Sequence, residues 1–318
     1  MRLLILHGLL PIILVVSYLI FGLVQPQFFS WINLINILRQ SSYLIMLATA
    51  QMMVLITRGF DLSVGTVIGM ISVASALVMA GIVHNSPQAV YLAIFLGCLT
   101  GLGIGLAVGT VNGLAIALLR INPFVATLGM LGIGLGFATT LSDGHPVYDV
   151  PETFMDILSR ASLLGIPVPI IVCAIILVVV YLILNHTLLG RSIYLLGSNI
   201  RAADVAGIAT KFYLTLAYVI CSLIVAIVAL MLTARTGSGE PMVGLGLMID
   251  SLMAAIIGGV SLMGGEGRVI HCIVGGLFVT VLDNGMNIMR IDSNIQKIIL
   301  GVVLIGAIFI DHLRSRIR

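Results

Sequence analysis

The chain has 318 residues, of which 60% are hydrophobic and only 8% charged, against roughly 25% charged in an ordinary soluble domain; the mean hydropathy is +1.23. A helix that crosses a bilayer needs about 20 apolar residues, so there is room for about ten of them and too little polar sequence for a sizeable soluble domain. That excludes a cytoplasmic enzyme, a secreted domain and a receptor with a large ectodomain, and 15 basic residues standing singly make no continuous surface for nucleic acid.

Arg2 precedes an apolar run from Leu3 to Val24. The run is too long for the apolar part of a signal peptide, and no small-residue cleavage site precedes Gln25-Pro26, so it reads as an uncleaved first span. Next, Phe28 to Gln40 sets Ser30, Asn33, Asn36 and Gln40 on one helical face and carries the single Trp, Trp31; this predicts a short helix lying in the outer membrane interface. Apolar runs at 43–57, 62–83, 89–110, 123–141, 163–185, 212–234, 244–263, 269–289 and 295–311 follow. With the first they give an all-α fold: a polytopic bundle of about ten transmembrane helices, forming one domain over residues 1–318. The runs are continuous, without the alternation of a transmembrane barrel.

Ten spans place both termini on one side. If that side is the cytoplasm it receives Arg2, Arg58, Arg120, Arg191, Arg201, Lys211, Arg268, Arg314, Arg316 and Arg318, leaving Arg39, Arg160, Arg235, Arg290 and Lys297 outside. The excess favours cytoplasmic termini. The two groups of five helices then enter from opposite sides, which permits an inverted repeat. Gly97, Gly101, Gly105, Gly109 and Gly113 recur every four residues in the fourth span, baring one face for close helix packing.

The chemistry of an enzyme or an ATPase is missing from the pattern. There is no phosphate-binding loop ending in Gly-Lys, no nucleophile elbow, and no spacing among the six histidines and four cysteines that would hold a metal. Cys98, Cys173, Cys221 and Cys272 lie singly in apolar runs and read as packing residues. Energy for uphill movement therefore comes from a partner or an ion gradient. Asp250 and Asp283 lie inside spans, where ionisable groups are expensive. Each is six residues from a predicted outer helix end, or roughly 9 Å below the outer surface, and with Asn284 and Asn287 they form a candidate substrate pathway suited to hydroxyl-rich solutes. Hydrogen bonding of the two aspartates within the bundle is the structural alternative. Asp61 precedes the third span and reads as a helix N-cap.

His186 to Lys211 is the only long inner connection, and its Arg201-Ala-Ala-Asp-Val-Ala-Gly207 stretch favours a short helix closed by glycine. Such an element is either a docking helix or an ordinary connector.

Several segments together carry a resemblance: Gly59-Phe-Asp-Leu-Ser-Val-Gly65, Asn122-Pro-Phe-Val-Ala-Thr-Leu-Gly129, Thr187-x-x-Gly-Arg191, Gly197-Ser-Asn199, Ala202-Ala203-x-x-x-Gly207-Ile208, Asp250 ahead of Gly258-Gly-Val-Ser-Leu-x-Gly-Gly-x-Gly-Arg268, and Asn284-Gly285. In this order and spacing the chain resembles, over essentially its whole length, the permease subunit of ribose-type monosaccharide ABC importers. The resemblance implies a ten-helix permease of the bacterial inner membrane that pairs with a second permease chain, identical or paralogous. It further implies ABC ATPase subunits on the cytoplasmic side, which bind the ATP and Mg, and a periplasmic sugar-binding protein outside; the chain itself holds no cofactor. Arg191, Asn199, Arg201, Ala202, Ala203, Asp204 and Gly207 match the family's ATPase-coupling segment. Here Ile200 and Arg201 stand where family members often carry Glu, and Asp283 stands where many carry Asn. A permease for another small polar solute, such as a branched-chain amino acid, and an ion-coupled secondary transporter are the alternatives. No basic residue lies deep in a predicted span, which favours a neutral solute over a zwitterion.

Overall fold

The computed structural model describes residues 10–315, with side chains through residue 306. Residues 3–9 of the first predicted span, and the side chains of the last beyond residue 306, lie outside the described residues. The helices are α1 Leu10–Val24, α2 Trp31–Leu55, α3 Val64–Asn85, α4 Val90–Ala117, α5 Pro123–Leu141, the short α6 Glu152–Met155, α7 Val168–His186, α8 Leu188–Ser198, α9 Ile200–Val205, α10 Thr210–Thr236, α11 Leu245–Gly258, α12 Val269–Ile288 and α13 Ser293–Ser315. Each predicted span overlaps one of them, with ends that differ by several residues. Among the described residues α3, α4, α5, α7, α10 and α12 are by themselves long and apolar enough to cross a membrane, while α1, α11 and the described part of α13 are shorter apolar helices.

The centre of the bundle is α2, packed by α7, α10, α11 and α12; α10 also packs along α3 and α4. From Ser41 to Leu55 every residue of α2 is buried. Large apolar side chains such as Leu23, Tyr91, Phe95, Phe137 and Ile175 are exposed on the outer helices, where lipid, with nothing to hydrogen-bond, is their natural solvent.

The interfacial helix expected at 28–40 is absent as a separate element. A short 3₁₀ turn, Pro26–Phe29, ends at Ser30, whose hydroxyl accepts from the Asn33 amide and starts α2. Nothing then breaks the helix, since the Ser41 and Ser42 hydroxyls both donate back to the Leu38 carbonyl and satisfy themselves within it. Buried Asn33 faces protein instead of headgroups, donating to the Phe28 carbonyl and to the Asn284 side chain at 2.9 and 3.0 Å.

A second difference concerns 163–167, expected to begin a span. Ser162–Leu163 and Ile166–Pro167 pair as a two-stranded hairpin around Leu164 and Gly165, both at positive φ, as a two-residue turn of this hand requires. Helix α7 starts only after it. The all-α expectation holds for the bundle and misses this hairpin.

The glycine register of α4 is a seam against two helices. A Cβ at Gly97 or Gly101 would meet Met79, Ser75 or Ile71 of α3; one at Gly105, Gly109 or Gly113 would stand 2.7 Å from Ala226, Val219 or Thr215 of α10. Glycine serves likewise at Gly275, where a Cβ would lie 1.9 Å from the Ala254 carbonyl and hold α12 off α11.

Candidate functional site

Two connectors interrupt helices inside the bundle. The first, residues 56–63, links α2 to α3. Asp61 and Ser63 within it are fully or almost fully buried, and each is engaged. Asp61 Oδ1 accepts from the Ser63 amide at 2.9 Å and from its hydroxyl at 2.5 Å. Asn112 of α4 donates to Ser63 Oγ, Gln51 of α2 donates to the Asp61 carbonyl, and Tyr218 of α10 donates to the Phe60 carbonyl. Tyr218 stands eight residues into α10, or about 12 Å from its start, so this knot of polar groups lies within the bundle and ties three helices to one connector. Asp61 itself is not the N-cap the sequence led us to expect: Ser63 occupies that position, and the carboxylate of Asp61, two residues earlier, closes a turn onto it. The available signal was Gln51 and Asn112, amides embedded in apolar runs, which membranes tolerate only with partners.

The second connector, residues 237–244, precedes a predicted span that starts at Gly244, which would make it an outer approach. Instead it runs back along α3. A Cβ at Gly239 would meet Ala76, one at Gly69 would meet the Pro241 carbonyl, and one at Gly244 would lie 2.1 Å from the Gly65 carbonyl. The Glu240 amide donates to Ser72 Oγ at 3.1 Å, and the Glu240 carboxylate accepts from Ser238 at 2.9 Å. From Ala76 to Gly65 is about 16 Å of α3 at helical rise. Helix α11 therefore starts inside the bundle, and Asp250 lies deeper than its count from a supposed outer end implied. Irregular backbone is stable at that depth only when protein or a water-lined path covers it.

Asp250 on α11 and Asp283 on α12 are both half-buried and lie within each other's electrostatic reach; Lys297 of α13 acts on Asp250. They do not share one level. The close approaches of Gly275 to Ala254 and of Gly258 to His271 set an antiparallel register that places Asp283 about one turn, some 5–6 Å, further along the bundle than Asp250. The two amides grouped with them tie helices together. Asn284 is buried and accepts from Asn33 of α2, and Asn287 accepts from Gln296 of α13 at 3.0 Å. Lys297, near the start of α13, is the cation that acts on Asp250.

The connection from α7 to α10 folds as two helices, one of them, α8, unforeseen. Thr187 caps α8 by accepting from the Gly190 amide. Asn199 caps α9, accepting from the Arg201 and Ala202 amides at 3.1 Å each, and Gly207 follows at φ 77°. Arg191, Asn199, Arg201, Ala202 and Asp204 are exposed, whereas Ala203 is buried; the Asp204 carboxylate accepts from the Thr210 hydroxyl. The result is a capped helical element with an open face.

Residues 33–308 match the family model described as the branched-chain amino acid transport system / permease component. The chain belongs to this permease family. It is a multi-pass membrane transport component and not an enzyme. Among curated relatives it is 32% identical over 306 residues to the D-allose transport system permease protein AlsC of Escherichia coli (strain K12), covering 96% of this chain and 91% of the relative. It is 33% identical over 308 residues to the ribose import permease protein RbsC of the same strain, covering 96% and 92%. It is 31% identical over 310 residues to that strain's L-arabinose transport system permease protein AraH, covering 98% and 91%. No solved structure matches the chain.

Proposed function

We propose that the chain is the permease subunit of an ABC importer of the bacterial inner membrane, carrying a monosaccharide or related small polyhydroxy solute from a periplasmic binding protein into the cytoplasm. Near full-length similarity to permeases named for D-allose, ribose and L-arabinose carries this reading. The chain acts as one permease domain with ten crossings and both termini inside. An inverted repeat is favoured by matching parts in the two halves: α2 and α10 each lead through an eight-residue connector into α3 and α11, and α10 packs on α3 and α4 as α2 packs on α11 and α12.

ABC ATPase subunits, which hold ATP and Mg, dock on the exposed face of α8 and α9, formed by Arg191, Asn199, Arg201, Ala202 and Asp204 with Gly207 just beyond; buried Ala203 seats the segment from behind. Nucleotide-driven closure moves that element and switches access between the two sides. Asp250 and Asp283 belong to the pathway. A carboxylate turned toward lipid is costly, so their half-exposed face on α11 and α12 is covered by a second permease chain, with a water-lined path between. Solute contact there is weak, since a pathway must also release what it binds.

The family description favours a second reading, a branched-chain amino acid, for which Asp250 and Lys297 would supply charges of both signs. Uptake of radiolabelled ribose, allose, arabinose and leucine by cells expressing the chain with its ATPase and binding protein decides. ATP-dependent uptake of a sugar is the expected result. Uptake of leucine alone overturns the sugar class, and uptake that persists without the ATPase but collapses with the ion gradient overturns the importer.

A further inference from the structure

Three segments distant in sequence meet at Arg58. Its Nε donates to the Gly197 carbonyl at 2.5 Å and its Nη2 to the Ser198 carbonyl at 2.7 Å. These carbonyls end α8, where a helix leaves its last acceptors unpaired and where a cation is favoured by the helix dipole. From the other side the loop between α11 and α12 closes in. The Gly265 amide donates to the Ile56 carbonyl at 2.8 Å, and a Cβ at Gly264 would lie 2.3 Å from Arg58 Cγ. There is no slack at the contact, since a Cβ at Gly197 would stand 1.7 Å from the Ile56 carbonyl.

Arg58 has φ 64°, a region in which glycine is at ease and other residues are uncommon. The backbone alone would be better served by glycine, so the side chain is what the position retains. Two residues further on, the same connector enters the buried knot in which Gln51, Asn112 and Tyr218 hold Phe60, Asp61 and Ser63. Movement of the end of α8 therefore acts on Arg58, and through a short, pinned stretch of chain on the start of α3, whose Gly65 lies against Gly244 at the start of α11.

We propose that Arg58 is a positioning residue that relays movement of the α8–α9 segment to the connector between α2 and α3 and so to the pathway helices. The proposal rests on the reading of α8–α9 as the ATPase-docking segment. The guanidinium fork suits two successive carbonyls, whereas a lysine ammonium is a single point charge, so Arg58→Lys preserves the charge and only part of the link.

The test uses the importer assembled from this chain and its ATPase in lipid nanodiscs, with Ile249→Cys as reporter on the exposed face of α11. Maleimide labelling at position 249 is read by peptide mass spectrometry with and without ATP and vanadate. In the parent, nucleotide changes the labelling rate. In Arg58→Ala the ATPase still co-purifies, while the nucleotide-dependent change shrinks by about five-fold or more, the low end of ordinary coupling between sites; Arg58→Lys is intermediate, and decides alone if Arg58→Ala is not recovered folded. A full nucleotide response in Arg58→Ala, or in Arg58→Lys when it decides alone, overturns the relay. Loss of the ATPase from Arg58→Ala also overturns it, because Arg58 would then be a docking contact, and leaves the docking reading standing. Failure of the parent to hold the ATPase or to respond to nucleotide overturns the docking reading and the relay with it.

Discussion

Gly65, the second residue of α3, and Gly244, at the N-cap of α11, face each other backbone to backbone, so closely that a Cβ on Gly244 would lie 2.1 Å from the Gly65 carbonyl oxygen. The starts of two interrupted helices thus meet within the bundle, each at the end of an irregular connector. Overpacking a tight contact costs about 1–3 kcal/mol. Gly244→Ala is expected to lower the melting temperature of the detergent-solubilised protein, while Gly81→Ala on the same α3, with open space around it, leaves it unchanged or higher. Equal melting temperatures for the two variants would contradict the contact.

The seam on α4 separates two neighbouring glycines by their surroundings. Gly105 has Ala226 2.7 Å from a would-be Cβ, whereas Gly103 has nothing within 4 Å. Alanine is a better helix former than glycine by about 0.8–1 kcal/mol, so Gly103→Ala is expected to stabilise slightly and Gly105→Ala to destabilise by about 1–3 kcal/mol. Chemical unfolding in mixed micelles measures the difference.

For the buried connector, the informative pair is Asp61→Asn against Asp61→Ala. The asparagine oxygen can still accept from the Ser63 amide and hydroxyl, the two donors now on Asp61 Oδ1. Alanine leaves both without that acceptor, at a cost of about 1–3 kcal/mol for an unsatisfied buried group. The expected order of thermal stability is parent, then Asn, then Ala; a reversed order of the two variants would refute the assignment.

Uptake separates the two pathway carboxylates. Asp250→Asn is expected to reduce transport by about ten-fold or more, because a hydrogen bond to a charged group contributes about 1.5–3 kcal/mol. Asp283→Asn, which sets an amide beside those of Asn284 and Asn287, is expected to keep most of it. Initial uptake rates at equal membrane expression decide, and unimpaired transport in Asp250→Asn removes that residue from the pathway.

Much of this molecule is legible without coordinates because the bilayer imposes a simple rule: backbone groups must be satisfied within helices, and long apolar runs are the record of that demand. Hence the long apolar helices in outline, the four-residue glycine register from Gly97 to Gly113 and the capped stretch before Gly207 could be read directly from residue types, while α8 and the start of α2 could not. The permease family could be read as well, from motifs whose order outweighs any one of them. The two connectors could not. Gly237–Gly244 and Gly59–Ser63 have the composition of surface loops, and only packing against α3, α4 and α10 turns them into buried structure. Asn33 read as interfacial until Asn284 was found beside it, and Arg58 read as one inward charge among ten until Gly197, Ser198 and Gly264 closed around it. Periodicity and charge bias are local properties of a chain, so sequence determined which segments are helices and what kind of protein they build. Which polar groups meet depends on contacts between different helices, up to 251 positions apart for Asn33 and Asn284, and tertiary structure alone decided that.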